Sequence, residues 1–214
     1  MKTSGLLFDL DGTLTDPKVG IVASIRFAMD KLGYPLDEAL DLDWCIGPPL
    51  QDSLTKLLGN MDRSKSEEAL NFYRERYRNK GIYENRLYPG IVGALEVLAE
   101  TTELYIATSK PTLFANEIVS HFGLGRFFEA IYGSDMDGKN ANKADLIRTI
   151  VSERGLQSRD CVMIGDREHD MIGAKANGLR GVGILWGYGS REELKSSGAE
   201  ATLETPEDLV PYFL

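Results

Sequence analysis

Short apolar runs and helical stripes alternate along most of this chain. Residues 6–10 form an apolar run closed by Asp11-Gly12-Thr13, the pattern of a buried strand that ends in a tight turn. Residues 104–107, 130–132, 162–164 and 182–185 repeat that form, each followed by polar or glycine-rich positions. Between them lie apolar residues at helical spacing, in 91–98, in 113–122 stopping at Gly123, and in 144–151 running on to Gly155. Strands alternating with helices predict a parallel, doubly wound sheet of the Rossmann-like kind.

Residues 16–87 break the alternation, with helical patterns and no convincing strand. Val22, Ile25, Met29 and Leu32 make one stripe ending at Gly33, and Leu50, Leu54 and Leu57 make a second ending at Gly59. Ser66, with Glu67 and Glu68 behind it, is placed to open a third helix. The stripes are read as core packing. The expected fold is therefore an α/β core, residues 1–15 and 88–214, carrying an inserted α-helical subdomain, residues 16–87.

Composition narrows the function classes. With 43% hydrophobic and 27% charged positions among 214 residues, the chain resembles ordinary globular proteins and can bury a sizeable core. Its net charge of -9, from 33 acidic against 24 basic residues, argues against nucleic acid or an anionic membrane as the main partner. Cys45 and Cys161 are far apart and lack metal-ligand spacing, which argues against a disulfide framework and fits a reducing cytoplasm. No apolar run approaches the roughly 20 residues of a bilayer span. The expectation is a cytoplasmic protein acting on a small molecule, and the sequence is silent on oligomeric state.

In an open parallel sheet, ligands bind beyond the carboxyl ends of the strands. Those ends are expected to carry Asp9 and Asp11 after the first strand, Thr108, Ser109 and Lys110 after the second, and Asp166 and Asp170 after the run ending at Ile164. Four carboxylates in one crevice would repel strongly unless a divalent cation joined them, and oxygen ligands favour Mg2+. Asp9 and Asp11, two residues apart, would lie close together but point differently, with Gly12 permitting the sharp exit. One carboxylate can then attack phosphorus while the other handles the leaving-group proton and later activates water. Taken alone, an Asp-x-Asp-Gly turn is more simply a strand cap.

Phe8-Asp9-Leu10-Asp11-Gly12-Thr13-Leu14, Tyr105-Ile106-Ala107-Thr108-Ser109-Lys110 and Ile164-Gly165-Asp166-Arg167-Glu168-His169-Asp170 occur in the order of the first, second and fourth motifs of the haloacid dehalogenase superfamily. The whole chain resembles the phosphatase branch of that superfamily. The third motif is a Lys, matched by Lys143 in Asn142-Lys143-Ala144-Asp145, with Lys139 nearby and without the usual Lys-Pro pair. The resemblance implies that Asp9 becomes an aspartyl phosphate and that Asp11 is general acid, then base. It implies that Thr108 hydrogen-bonds a phosphoryl oxygen and that Lys143 holds Asp9 and neutralises phosphate. Asp166 and Asp170, with Asp9 and the Asp11 backbone carbonyl, would support Mg2+. Thr108, Ser109 and Lys143 are the expected substrate contacts of the core.

Asp11 separates this pattern from the dehalogenase branch, which lacks an acid/base Asp two residues after its nucleophile. The helical insertion resembles the cap of phosphoglycolate phosphatases. Within it, Ile46-Gly47-Pro48-Pro49-Leu50 makes Gly47 a candidate substrate-loop residue, against the plain reading of a helix connection. Arg26, Arg74 and Arg78 are read as solvated charges, His169 as an exposed loop residue, and the glycines from Gly178 to Gly189 as turns. The leading expectation is hydrolysis of a small phosphomonoester, phosphoglycolate first. The alternatives are a 5'-nucleotidase or pyrophosphatase, a sugar phosphomutase, and a non-catalytic phosphate-binding module. Asp9→Asn is expected to leave folding almost untouched, on the view that an exposed strand-end carboxylate adds little to the core.

Overall fold

The computed structural model describes residues 3–59, 63–136 and 140–214. Its strands are β1 (Gly5–Phe8), β2 (Thr15–Asp16), β3 (Arg86–Leu87), β4 (Glu103–Pro111), β5 (Ala130–Ser134), β6 (Cys161–Gly165), β7 (Arg180–Ile184) and β8 (Ala201–Leu203). The helices are α1 (Lys18–Lys31), α2 (Leu50–Leu57), α3 (Arg63–Asn79), α4 (Ile91–Ala99), α5 (Thr112–His121), α6 (Lys143–Arg154), α7 (Glu168–Ala176), α8 (Arg191–Ser196) and α9 (Leu209–Phe213).

Six strands form one sheet in the order β5-β4-β1-β6-β7-β8, and every pairing is parallel. A parallel sheet is covered on both faces, so its inner strands are apolar throughout. All residues of β1 and β6 are buried. On one face Leu7, Tyr105, Ala107 and Met163 pack with Leu146, Ile147 and Ile150 of α6 and Ala174 of α7. Leu6, Phe8, Leu104, Ile106, Val162 and Ile164 alternate with them and are equally buried, which places them on the opposite face. Truncating one of these to alanine would cost about 2–5 kcal/mol.

The chain divides into two compact units, Met1–Asp16 with Leu87–Leu214, and Pro17–Arg86. The second unit is helical. Its interior is Ile21, Ile25, Ala28 and Met29 of α1 with Ala69, Tyr73 and Tyr77 of α3, the two tyrosine rings stacked at 5.2 Å. Among the described residues no helix is long and apolar enough to cross a membrane.

The structure corrects the sequence reading in several places. Ile25, Met29 and Leu54 are buried as expected, but Ile21 and Leu58 are buried in place of Val22 and Leu57, which are half-buried. Ser66 does not open α3: it lies one turn inside, buried, its Oγ donating to the Arg63 carbonyl. Short β2 and β3, at the two points where the chain passes from one unit to the other, pair with each other, and neither strand was expected. β8, α7, α8 and α9 were also not expected.

Candidate active site

The backbone amide of Asp9 donates to the Ile164 carbonyl at 2.9 Å, continuing the β1–β6 ladder one residue past Phe8. The chain then folds back tightly. The amides of Leu14 and Thr15 converge on the Leu10 carbonyl at 2.9 and 3.0 Å, and Gly12 donates to the Thr15 carbonyl at 2.8 Å. Gly12 has φ 89°, and a Cβ there would lie 2.7 Å from the Asp166 Cγ, so this turn admits only glycine.

Three carboxylates meet beyond the sheet. Asp9, Asp166 and Asp170 each offer an oxygen within 4.8 Å of the others, and all three side chains are buried. Lys143, the first residue of α6, reaches into them. Its Nζ lies 2.7 Å from Asp9 Oδ1, 2.8 Å from Asp170 Oδ1 and 2.7 Å from the Ala107 carbonyl. Asn142 caps that helix through the amides of Ala144 and Asp145 at 2.9 and 3.2 Å, which fixes the base of the lysine. Burial opposes the charge on Lys143, but Asp170 and Asp9 hold its ammonium above the ordinary lysine range. Among the described residues no lysine pairs with Asp166: burial, then Asp9 and Asp170, push it well above the ordinary carboxylate range, against the amide bond from Tyr188 and the charge of Arg167. Buried all-oxygen donors with more negative charge than one lysine neutralises suit a hard divalent cation such as Mg2+.

The Asp11 carboxylate has a lysine of its own. Its Oδ2 pairs with Lys110 Nζ at 2.7 Å, both side chains less than a tenth exposed. Burial raises Asp11 and Lys110 opposes the rise. Thr108 is buried, and its Oγ1 accepts from the Lys110 amide at 3.2 Å. The hydroxyl of Ser109, an expected substrate contact, donates to the Ala141 carbonyl at 3.0 Å and so tethers the segment leading to Lys143. These three residues were expected after a strand ending near Ala107. They lie instead within β4, which runs on to Pro111 through a shift of register against β5.

A brace follows β7. Trp186 Nε1 donates to the Thr13 carbonyl at 3.0 Å, and the Tyr188 amide donates to Asp166 Oδ2 at 2.8 Å. The Tyr188 hydroxyl binds Asp16 Oδ1, so one short segment grips the Asp9 loop at its middle and at its return. Burial first, then Asp16, hold that phenol protonated far above its ordinary range. A Cβ on Gly187 would overlap Asp166 and the Gly12 carbonyl, which makes Gly187 more than a turn residue. Asp170 accepts from the Arg167 amide at 3.1 Å, and Glu193 accepts from Arg167 Nε and the Glu168 amide, both at 2.9 Å, fixing the start of α7.

Asp9, Asp166, Asp170 and Lys143 are thus brought together, and Lys110 ties Asp11 to the strand end that carries Thr108. The Asp11 carboxylate is not one of the three that lie within 4.8 Å of one another, although Asp9 and Lys143 both act on it electrostatically. Gly47 belongs to the second unit, with φ 101°, between the turn Asp43–Cys45 and α2. Lys139 lies outside the described residues. His169 is half-buried in the first turn of α7 instead of exposed in a loop. Arg26 clamps a loop of the second unit, donating to the carbonyls of Asp37, Glu38 and Leu40 at 2.8 to 3.0 Å. Lys110, Trp186 and Tyr188 were not assigned roles from sequence. Only Lys110, inside the second motif, carried a signal there.

The model of a haloacid dehalogenase-like hydrolase family matches residues 6–184. A 5'-nucleotidase of Pseudomonas aeruginosa is 46% identical over 197 residues, 92% of this chain and 89% of that one. The tyrosine-protein kinase PtkA of Mycobacterium tuberculosis is 38% identical over 186 residues, 86% of this chain and 62% of that one. A phosphoglycolate phosphatase of Colwellia psychrerythraea is 26% identical over 96% of this chain and 94% of its own. Among solved structures, a predicted phosphatase from Clostridium acetobutylicum superposes with a TM-score of 0.95 at 39% identity, covering 99% of this chain and 98% of that one.

Proposed function

The chain belongs to the haloacid dehalogenase-like hydrolase family, and from that premise we propose that it is a Mg2+-dependent phosphomonoesterase in which Asp9 carries the phosphoryl group to water. One observation supports this above the rest: Asp9, Asp166 and Asp170 share a buried cluster in which Lys143 pairs with both Asp9 and Asp170.

Asp9, Asp166 and Asp170 would hold the cation, which when bound neutralises charge on the phosphoryl oxygens. Asp9 attacks phosphorus, and the ester oxygen departs with the proton of Asp11. The Asp9–phosphorus bond then breaks as water attacks, its proton passing to Asp11. Lys143 holds Asp9 in place and, with the Thr108 hydroxyl, offers donors to the phosphoryl group. Positioning and charge neutralisation supply most of the rate in such transfers. The second unit, Pro17–Arg86, is read as a substrate-selecting cap, Gly47 as part of its loop, and the cytoplasm as the site of action.

The similarity to a 5'-nucleotidase exceeds that to the phosphoglycolate phosphatase, and it favours nucleoside 5'-monophosphates over the phosphoglycolate expected from sequence. A panel of nucleoside 5'-monophosphates, phosphoglycolate, sugar phosphates and pyrophosphate with Mg2+ tests both levels. Phosphate release from monoesters, abolished by Asp9→Asn, is the expected result. Isomerised sugar phosphate without free phosphate would indicate a mutase, and no turnover of any ester would overturn the proposal.

A further inference from the structure

We propose that Lys110 is a positioning residue for Asp11, pinning one carboxylate oxygen so that the other is presented for proton transfer to the departing ester oxygen. The proposal rests on the reading of Asp11 as the general acid.

Lys110 takes Asp11 Oδ2 at 2.7 Å, while Asp11 Oδ1 is buried and has no hydrogen-bond partner among the described residues. A carboxylate turns easily about its last torsion. One short charge-assisted bond on Oδ2 removes that freedom and fixes where Oδ1, which carries the proton when Asp11 acts as the acid, points. The lysine is itself well anchored. Its amide donates to Thr108 Oγ1 at 3.2 Å, so the residue that pins Asp11 also orients the threonine read as a phosphoryl donor. On either side of it, the Ser134 hydroxyl donates to the Ser109 carbonyl at 3.0 Å and the Thr112 hydroxyl donates to the Ser134 carbonyl at 3.2 Å. β4 is thereby held against β5 where their register shifts. A lysine gains little for the fold from this burial, because desolvating an ion pair costs about as much as its attraction returns.

The proton balance supplies the test. When Asp9 displaces an alcohol, the phosphorus–oxygen ester bond breaks and the alkoxide needs the proton of Asp11. A nitrophenolate leaves without one. The ratio kcat/KM covers the steps up to that departure, so it is measured for Lys110→Met and Asp11→Asn on a nucleoside 5'-monophosphate and on p-nitrophenyl phosphate.

Lys110→Met is expected to lose on the order of 10–100-fold on the alkyl ester, a part of what a general acid supplies, with little loss on the aryl ester. Asp11→Asn should show the same contrast more steeply, and Lys110→Arg should recover part of it. Equal losses of Lys110→Met on both esters, or none on either, would overturn the assignment while the Asp11→Asn contrast kept the acid reading intact. Absence of the contrast in Asp11→Asn would remove the acid reading itself. If Lys110→Met does not fold, Lys110→Gln is measured on the same pair of esters with the same outcomes.

Discussion

In the first unit, Lys143 and Lys110 pair with Asp9, Asp170 and Asp11, and every one of these side chains is less than a tenth exposed. In the second unit, Lys18 pairs with Asp43 at 51% and 33% exposure, and Arg63 with Glu67 at 89% and 58%. The two sets look alike as ion pairs and differ as physics. Water already solvates the second set, so each pair there is worth about 0–1 kcal/mol. The first set had to be stripped of water at several kcal/mol per ion, which attraction and hydrogen bonds only about repay. A fold does not need such pairs for stability. Their presence at the carboxyl ends of β1, β4 and β6 supports the proposal that the chemistry lies there.

The difference should break most dramatically when the cation is withdrawn. Chelation is expected to reduce phosphatase activity to background. Restoring Mg2+ at about a hundred times its Kd should stabilise the fold by about 2.7 kcal/mol, read as a rise in Tm. Asp166→Ala should abolish that rise, and a rise that persisted would place the cation elsewhere. Next comes Lys143→Met, which leaves Asp9 and Asp170 buried without their cation. A loss of about 3–5 kcal/mol in urea unfolding of the metal-free protein is expected, and a loss below about 1 kcal/mol would mean that the cluster is wetter than its burial indicates. Tyr188→Phe keeps the ring and the amide on Asp166 but removes the bond to Asp16. A smaller loss, about 1–2 kcal/mol, is expected.

The smallest effect belongs to the second unit. Arg76 donates to Glu84 at 2.8 and 3.2 Å and holds that carboxyl below its ordinary value. A carboxylate with a lowered folded pKa adds stability above its unfolded value, and that stability fades as pH falls through the folded one. Glu84→Gln should therefore cost about 1 kcal/mol or less at neutral pH, and nothing once the pH is below the folded pKa. A constant cost across that range would show that the hydrogen bonds matter and the charge does not.

The sheet was legible because β1, β6 and the central parts of β4 and β7 are apolar on both faces, so their runs stand out against polar loops. β8 was not, since Ala201–Leu203 is an edge strand of mixed polarity. α7 was hidden because Glu168-His169-Asp170 reads as a polar loop, although capping by Asp170 and Glu193 turns it into a helix start. At the site, the short-range pattern of Asp9, Asp11 and Gly12 gave the turn, the strand ends gave Asp166 and Asp170, and the family motifs supplied Lys143. The partners of Asp11 and Asp16 were illegible. Lys110 and Tyr188 reach them across 99 and 172 positions of sequence, and a strand that overruns its apolar part, as β4 does, leaves no mark in hydropathy. The expectation that Asp9 is exposed failed for the same reason, since α6 and the segment after β7 cover the strand end. Asp9→Asn should still fold, because Asp170 continues to pair with Lys143.

The central claim is that Asp9 bears the phosphoryl group. Acid quench during turnover of a phosphomonoester with Mg2+, followed by peptide mapping, tests it most directly. A hydroxylamine-labile phosphate on the peptide containing Asp9, absent from Asp9→Asn and accumulating in Asp11→Asn, is the predicted result. Phosphate found on another residue, or full turnover by Asp9→Asn, would contradict it.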